Sequence, residues 1–208
     1  MEHYFTNNTN LKSELKKIVY KIDDREFTFF SDNGVFSKER IDFGSNLLIE
    51  TIISNINKKD LICLDVGCGY GLIGIVLSKI LNYKFDMVDV NKRAVHLANM
   101  NINANKLKDR VKAFESNIYD NVPSSYDLIV TNPPIRAGKT VVYQILDEAI
   151  NHLNDDGELW LVIRKEQGAK STIEHLKDRY SVNIMERKKG FYIIMAKKAW
   201  KSLTLSLA

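Results

Sequence analysis

The sequence predicts a doubly wound α/β fold, a mostly parallel sheet with helices on both faces, and three observations carry that expectation. Apolar runs of strand length alternate with amphipathic runs of helical length from about residue 46 to residue 198. One run, Leu61-Ile-Cys-Leu-Asp65-Val, ends in an acid and passes through Gly67, Gly69 and Gly71 into a helical pattern. That is a buried strand, a tight turn and a helix start, the first half of a βαβ unit. A later run, Tyr126–Thr131, goes straight into Asn132-Pro133-Pro134-Ile135.

In chain order, residues 1–16 are polar, and Ile18–Ile22 and Glu26–Ser31 read as strands joined at Asp23-Asp24-Arg25. A turn-rich passage then leads to a helix over about 45–55, with Leu47, Leu48, Thr51 and Ile52 on one face. After the glycine stretch, Tyr83–Asp89 is a second strand, Asn91 caps a helix to about Asn103, and Val111–Phe114 is a third strand. Beyond the fourth strand, Tyr126–Thr131, the spacing of Val141, Ile145, Ala149 and Leu153 predicts a helix over 140–153. Gly157 separates it from a strand over 158–163, and a helix over about 171–180 follows. The closing pair, Val182–Arg187 and Phe191–Ala196, turns at Lys188-Lys189-Gly190. The expected organisation is an extension over residues 1–45 (a hairpin and a flap), a main domain over 46–198 and a motif-free tail over 199–208.

Composition narrows the class. The 208 residues are 45% hydrophobic and 27% charged, which suits one globular domain. No apolar run reaches the ~18 residues of a membrane span, and residues 1–8 lack the pattern of a signal peptide. Cys63 and Cys68 read as reduced thiols, so a cytoplasmic location is expected. His3, His96, His152 and His175 have no ligand spacing, so no metal is expected. A net charge of +4 permits a nucleic-acid partner without requiring one. The basic groups Lys16-Lys17, Arg164-Lys165 and Arg187-Lys188-Lys189 read either as solvated faces or as phosphate contacts.

Glycines at every second position let the backbone turn sharply and keep Cβ atoms away from a ligand. The spacing is G-x-G-x-G, with Leu72 where a dinucleotide fingerprint has its third glycine. Asp65, just before the first glycine, would repel a pyrophosphate but suits a positively charged or amino group. Asp89, at the end of its strand, is placed to accept from a ribose diol, with Asp86 the competing acid inside the same strand. In Asn132-Pro133-Pro134 two rings fix φ and remove two donors, leaving carbonyls only. Such a tetrapeptide serves as a strand-ending turn, or as a site at the edge where ligands bind in open α/β sheets.

Asp65-Val-Gly67-Cys-Gly69-Tyr-Gly71 resembles motif I of the class I S-adenosylmethionine-dependent methyltransferases. That resemblance implies a Rossmann-like sheet of order 3-2-1-4-5-7-6 with strand 7 antiparallel, and S-adenosyl-L-methionine as cofactor. It implies that Asp65, Gly67, Gly69 and Gly71 lie under the methionine part, with Asp89 at the ribose and Val90 also among the cofactor-binding residues. It also puts Asn117 and Ile118 at the adenine, where an ordinary polar loop is the alternative, and gives Asn132 contacts to both cofactor and substrate. Within the class, the chain is most similar to the guanine-N2 methyltransferases of small-subunit (16S) ribosomal RNA. That similarity adds Gly34-Val-Phe36-Ser37, Asp42-Phe-Gly44-Ser45 and Asn132-Pro-Pro-Ile-Arg136-Ala-Gly-Lys139. The wider Asn-Pro-Pro group has Tyr or Phe where Ile135 stands; Phe36 is the expected replacement, with Arg136 and Lys139 on flanking phosphates.

The chemistry expected is methylation of an exocyclic amine. Asn132 and Pro133 would accept from its two hydrogens, with Pro134 keeping the turn rigid. The partner implied is ribosomal RNA or the small subunit. A protein glutamine amide presents the same planar NH₂ and remains an alternative, as does a non-enzymatic RNA-binding module.

Overall fold

The computed structural model describes residues 13–33, 35 and 41–198. An antiparallel hairpin, β1 (Lys16–Ile22) and β2 (Arg25–Ser31), precedes helix α1 (Phe43–Asn55). Then come β3 (Ile62–Val66), α2 (Leu72–Leu81), β4 (Lys84–Asp89), α3 (Lys92–Ala104) and β5 (Val111–Glu115). The second half holds β6 (Tyr126–Thr131), α4 (Lys139–Glu148), β7 (Leu153–Arg164), α5 (Ala169–Leu176), β8 (Tyr180–Lys188) and β9 (Phe191–Lys198).

Seven strands form one sheet in the order β5-β4-β3-β6-β7-β9-β8. Counted from β3, that is the expected 3-2-1-4-5-7-6, with β9 antiparallel to both neighbours. Side chains alternate between two apolar layers, as strand geometry requires. Cys63, Leu128, Val130 and Trp160 face a layer with α1, α2 and α3. Leu64, Ile129, Leu159 and Leu161 face the layer holding Ile145 and Leu176 of α4 and α5. Helices on both faces explain why these strands read as near-continuous apolar runs. No helix among the described residues is long and apolar enough to cross a membrane.

The hairpin is part of this packing. Phe27 and Phe29 are fully buried in the first layer. The outer edge of β2 is filled by two asparagines one helical turn apart, Asn101 within α3 and Asn105 at its C-cap. Asn101 accepts from the Phe30 N–H (2.7 Å) and donates to the Phe30 carbonyl (2.9 Å). Asn105 does the same at Thr28, at 3.3 and 2.8 Å. The Asn101 amide also donates to the Tyr70 carbonyl in the glycine loop (2.8 Å).

Two expectations need correction. The helix predicted over 140–153 stops at Glu148, and Ala149–Asn151 form a 3-10 turn. Leu153 opens β7 opposite Tyr126, whose N–H takes the His152 carbonyl at 2.8 Å; this pairing draws the chain into the sheet. The helix predicted over 171–180 covers Ala169–Leu176, because Tyr180 already belongs to β8. Strand β2, expected over 26–31, is held by Asn101 and Asn105.

Candidate functional site

The strand tips converge where the strand order reverses. β3 pairs in parallel with β4 on one side and β6 on the other, so Gly67, Val90 and Asn132 emerge on the same edge. Such a switch point is where open α/β sheets bind ligands. Gly67, Gly69 and Gly71 all have positive φ (73°, 57° and 90°), which side chains with a Cβ adopt only under strain. The N–H groups of Gly67 and Cys68 both reach the Val88 carbonyl (2.9 and 3.0 Å), fixing the loop over β4. A Cβ on Gly67 would lie 3.9 Å from the Pro134 ring, so the glycine and proline motifs adjoin.

Two buried polar atoms among the described residues have no hydrogen-bond partner, Asp65 Oδ1 and the Tyr70 hydroxyl. Both belong to this stretch. The other Asp65 oxygen accepts from the Gly74 N–H at 3.1 Å. Burial, with Asp89 adding repulsion, pushes the Asp65 carboxyl up to about 7. Tyr70 is packed edge-on to Phe29 (5.8 Å), and burial raises its hydroxyl pKa, with Asp42 adding to the effect. One orphan is an acceptor and the other a donor. Together they match a zwitterion, an ammonium for Asp65 and a carboxylate for Tyr70. Sequence reading missed Tyr70, since one aromatic within a glycine loop carries no signal of its own.

Asp89 is buried at the tip of β4, accepting from the N–H groups of Gly69 and Asn91 at 2.9 Å each. With the Val90 N–H also on this carboxylate, about one of its four lone-pair positions stays open, which a ribose hydroxyl fits. Burial raises its pKa, although these hydrogen bonds and one from the Val90 N–H oppose the shift. Asp86 is committed elsewhere, to the Tyr126 hydroxyl (2.8 Å) and Lys112 (3.3 Å). Beyond β5, Asn117 is exposed and donates to Asp120 (3.1 Å). Ile118 is buried with φ of 51°, a costly conformation for a β-branched residue. It is held by the Ser116 hydroxyl, which donates to the Ile118 carbonyl (3.0 Å) and accepts from the Asn121 N–H (3.1 Å).

Asn132 lies beside α1 rather than free in a turn. Its Nδ2 donates to Asp42 Oδ2 (3.1 Å) and Ser45 Oγ (2.9 Å), 90 and 87 residues away in the chain. Asp42 is also the N-cap of α1, accepting from the Ser45 N–H (2.8 Å) and hydroxyl (3.1 Å). A carboxylate only accepts, so this network fixes which end of the amide faces it. Both Asn132 hydrogens are used and its oxygen stays available. Nearby, the Thr131 hydroxyl donates to the Val66 carbonyl (2.8 Å), tying β6 to β3. The Pro133 carbonyl accepts from the Ile135 N–H (2.8 Å) and keeps one lone pair. Sequence reading saw Asp42 and Ser45 only within a quoted motif; a helix cap gives no hint of a distant partner.

The remaining expected residues separate. Ile135 is half-buried in a 3-10 turn and packs against the second apolar layer. Arg136 and Lys139 are exposed, with Lys139 Nζ 4.8 Å above the Tyr143 ring. Phe36 lies outside the described residues. Aromatic rings nevertheless stand near the amide clamp. Phe43 adjoins Asp42 in sequence, and its ring centroid is 5.3 Å from that of Phe191.

The methyltransferase small domain family model matches residues 26–195. A Bacillus subtilis protein, YbxB, described as uncharacterized, is 45% identical over 201 residues, covering 95% of this chain and 98% of its own. Ribosomal RNA small subunit methyltransferase C of Haemophilus influenzae is 36% identical over 143 residues, 66% of this chain and 42% of that protein. The chain thus spans about two fifths of that relative's length. Among solved structures, a Thermus thermophilus 16S rRNA N2 methyltransferase in complex with AdoMet and guanosine superposes with a TM-score of 0.81. It is 24% identical, over 91% of this chain and 52% of that one. A ribosomal protein L11 methylase from Lactobacillus delbrueckii shares the fold at a TM-score of 0.65 and 20% identity, over 79% and 88% of the two chains.

Proposed function

The chain belongs to the methyltransferase small domain family, and on that footing we propose a cytoplasmic guanine-N2 methyltransferase acting on 16S ribosomal RNA. S-adenosylmethionine is the cofactor, and the residues at the switch point suit it. Asp65 and Tyr70 match its amino-acid end, Asp89 its ribose, and Asn117 and Ile118 its adenine, with Val90 next to Asp89 also on the cofactor. When bound, it supplies a methyl group on a positively charged sulfur, already activated for transfer.

The observation that carries the reading is the Asp42–Ser45–Asn132 clamp. An exocyclic amine on a base is a poor nucleophile because its lone pair is delocalised into the ring. The Asn132 oxygen and the free lone pair of the Pro133 carbonyl accept its two hydrogens and favour a pyramidal nitrogen. The two prolines hold those acceptors in place, so little reorganisation remains at the moment of reaction. The methylated nitrogen is acidic and loses its proton without a strong base. A guanine within a helix must first leave the stack, at a cost of a few kcal/mol. The similarity to ribosomal RNA methyltransferases supports RNA as the substrate.

The test is incubation with tritiated S-adenosylmethionine and, in parallel, small ribosomal subunits, free 16S RNA and a peptide-chain release factor. The expected result is label in RNA or subunits, recovered after digestion as N2-methylguanosine. Label in the release factor alone would replace this reading with glutamine methylation. Cofactor binding without label anywhere would leave a binding module.

A further inference from the structure

The topology gathers basic side chains that the sequence keeps apart. β7 is parallel to β6, so its last residue, Arg164, emerges on the edge that carries Asn132. Phe191 at the start of β9 pairs with Arg164 and with Lys188 at the end of β8. The Lys189-Gly190 turn therefore lies on that same edge, and the Lys165 N–H reaches the Gly190 carbonyl at 2.8 Å. Between α4 and α5 runs a groove of about 700 Å³ whose lining includes Lys139, Lys165 and Lys170. Lys165 belongs to both features, so the groove and the hairpin turn form one basic band.

Three of these cations are held over rings. Lys139 sits 4.8 Å from the centroid of Tyr143, Arg164 4.9 Å from Phe191, and Lys189 5.0 Å from Phe43. The rings are braced in turn, Tyr143 by His175 (4.1 Å) and Phe43 by Phe191 (5.3 Å). Lys139 and Lys189 have no acidic partner among the described residues. Arg164 pairs with Glu166 (2.8 Å), and Glu174 on the groove pairs with Lys177 (2.8 Å), outside it. A cation resting on a ring keeps its charge toward water but has already lost much of its rotamer freedom. A phosphate meeting it therefore incurs less ordering cost than at a freely moving lysine.

We propose that this band, from Lys139 through Lys165 and Arg164 to Lys189, binds the sugar–phosphate backbone of a single-stranded RNA segment beside the methylated base. Phe43, on which Lys189 rests, directly follows Asp42 of the clamp, so the band ends at the reacting amide. A base delivered to Asn132 is either single-stranded already or extruded from its helix, and in both cases its sugar–phosphate backbone is brought to the protein surface. The inference rests on the RNA reading above and adds where the strand lies.

The test measures binding of the full chain to a labelled single-stranded RNA and to small subunits over a range of salt concentrations. Lys165→Gln/Lys170→Gln/Lys189→Gln should lower the slope of log affinity against log salt by about two units, at roughly 0.7 per lost contact. Near 0.1 M salt that corresponds to a loss of affinity on the order of a hundredfold. Affinity for S-adenosylhomocysteine should stay within twofold, which reports that the variant is folded. Lys59→Gln/Lys106→Gln/Lys108→Gln, on the opposite edge of the sheet, should leave the slope unchanged. If wild type binds RNA and the two triple variants behave alike, the band is wrong and the RNA reading stands. If wild type binds S-adenosylhomocysteine but neither RNA nor subunits, both fall.

Discussion

Asp42→Asn tests whether the Asn132 amide is oriented by its neighbours. The substitution keeps an acceptor and a good helix cap, but it removes the charge that faces the Asn132 Nδ2 at 3.1 Å. A hydrogen bond to a charged group contributes about 1.5–3 kcal/mol and a neutral one about 0.5–1.5, so the orienting energy should drop by about 1 kcal/mol. At 1.36 kcal/mol per decade of rate, turnover should fall about fivefold to tenfold. Ser45→Ala removes the second acceptor, at 2.9 Å, and should cost a similar factor. The assay is the initial rate of tritiated methyl transfer to the RNA at saturating cofactor, with calorimetry of S-adenosylhomocysteine alongside. Cofactor affinity should remain within threefold. The decisive comparison is in an Asn132→Ala background, where Asp42→Asn should have almost no further effect. An undiminished loss there would mean that Asp42 acts through helix α1 and not through Asn132.

Asp65 predicts a pH dependence of cofactor binding. Its carboxyl is lifted to about 7 in the free protein, while an ammonium ligand requires the carboxylate, so binding below pH 7 releases a proton. Affinity for S-adenosylhomocysteine should fall about tenfold per unit from pH 7 towards pH 5 and stay level above 7, and Asp65→Asn should flatten the profile. Tyr70→Phe should weaken S-adenosylhomocysteine by about 1.5–3 kcal/mol yet leave methylthioadenosine, which lacks the amino-acid end, unaffected; equal losses for both would refute the carboxylate role. Asn132→Ala should keep cofactor affinity within a few-fold while turnover drops ~10²-fold or more, a split that a mere turn residue would not produce. Asn101→Ala, which removes one buried and two part-buried hydrogen bonds, should cost about 3 kcal/mol in urea unfolding.

The parallel core was legible because β3, β6 and the end of β7 are buried on both faces, which forces apolar runs of strand length. Gly67, Gly69 and Gly71 were legible for a different reason, since their positive φ values leave few other residues possible. The helix over 140–153 was misjudged because Leu153 is apolar at the right interval, yet its partner is Tyr126 across the sheet. Periodicity records which face is buried and not what covers it. The same limit hid Asp42 and Ser45 as neighbours of Asn132. Both serve helix α1 locally, and their second role exists only after the sheet has brought β6 beside that helix.

Asn101 gives the fold a mechanical consequence. One side-chain nitrogen holds both the Phe30 carbonyl of the hairpin and the Tyr70 carbonyl of the glycine loop. The two regions thus share this tether as well as the Phe29–Tyr70 ring contact, and opening one loosens the other. A ligand that stiffens Tyr70 also stiffens the hairpin edge. Solvent-hydrogen exchange at the Phe30 amide, itself closed by Asn101 Oδ1, should therefore slow when the glycine loop is occupied. The hairpin would then act as a remote gauge of the loop, through Asn101 and the Phe29–Tyr70 ring pair.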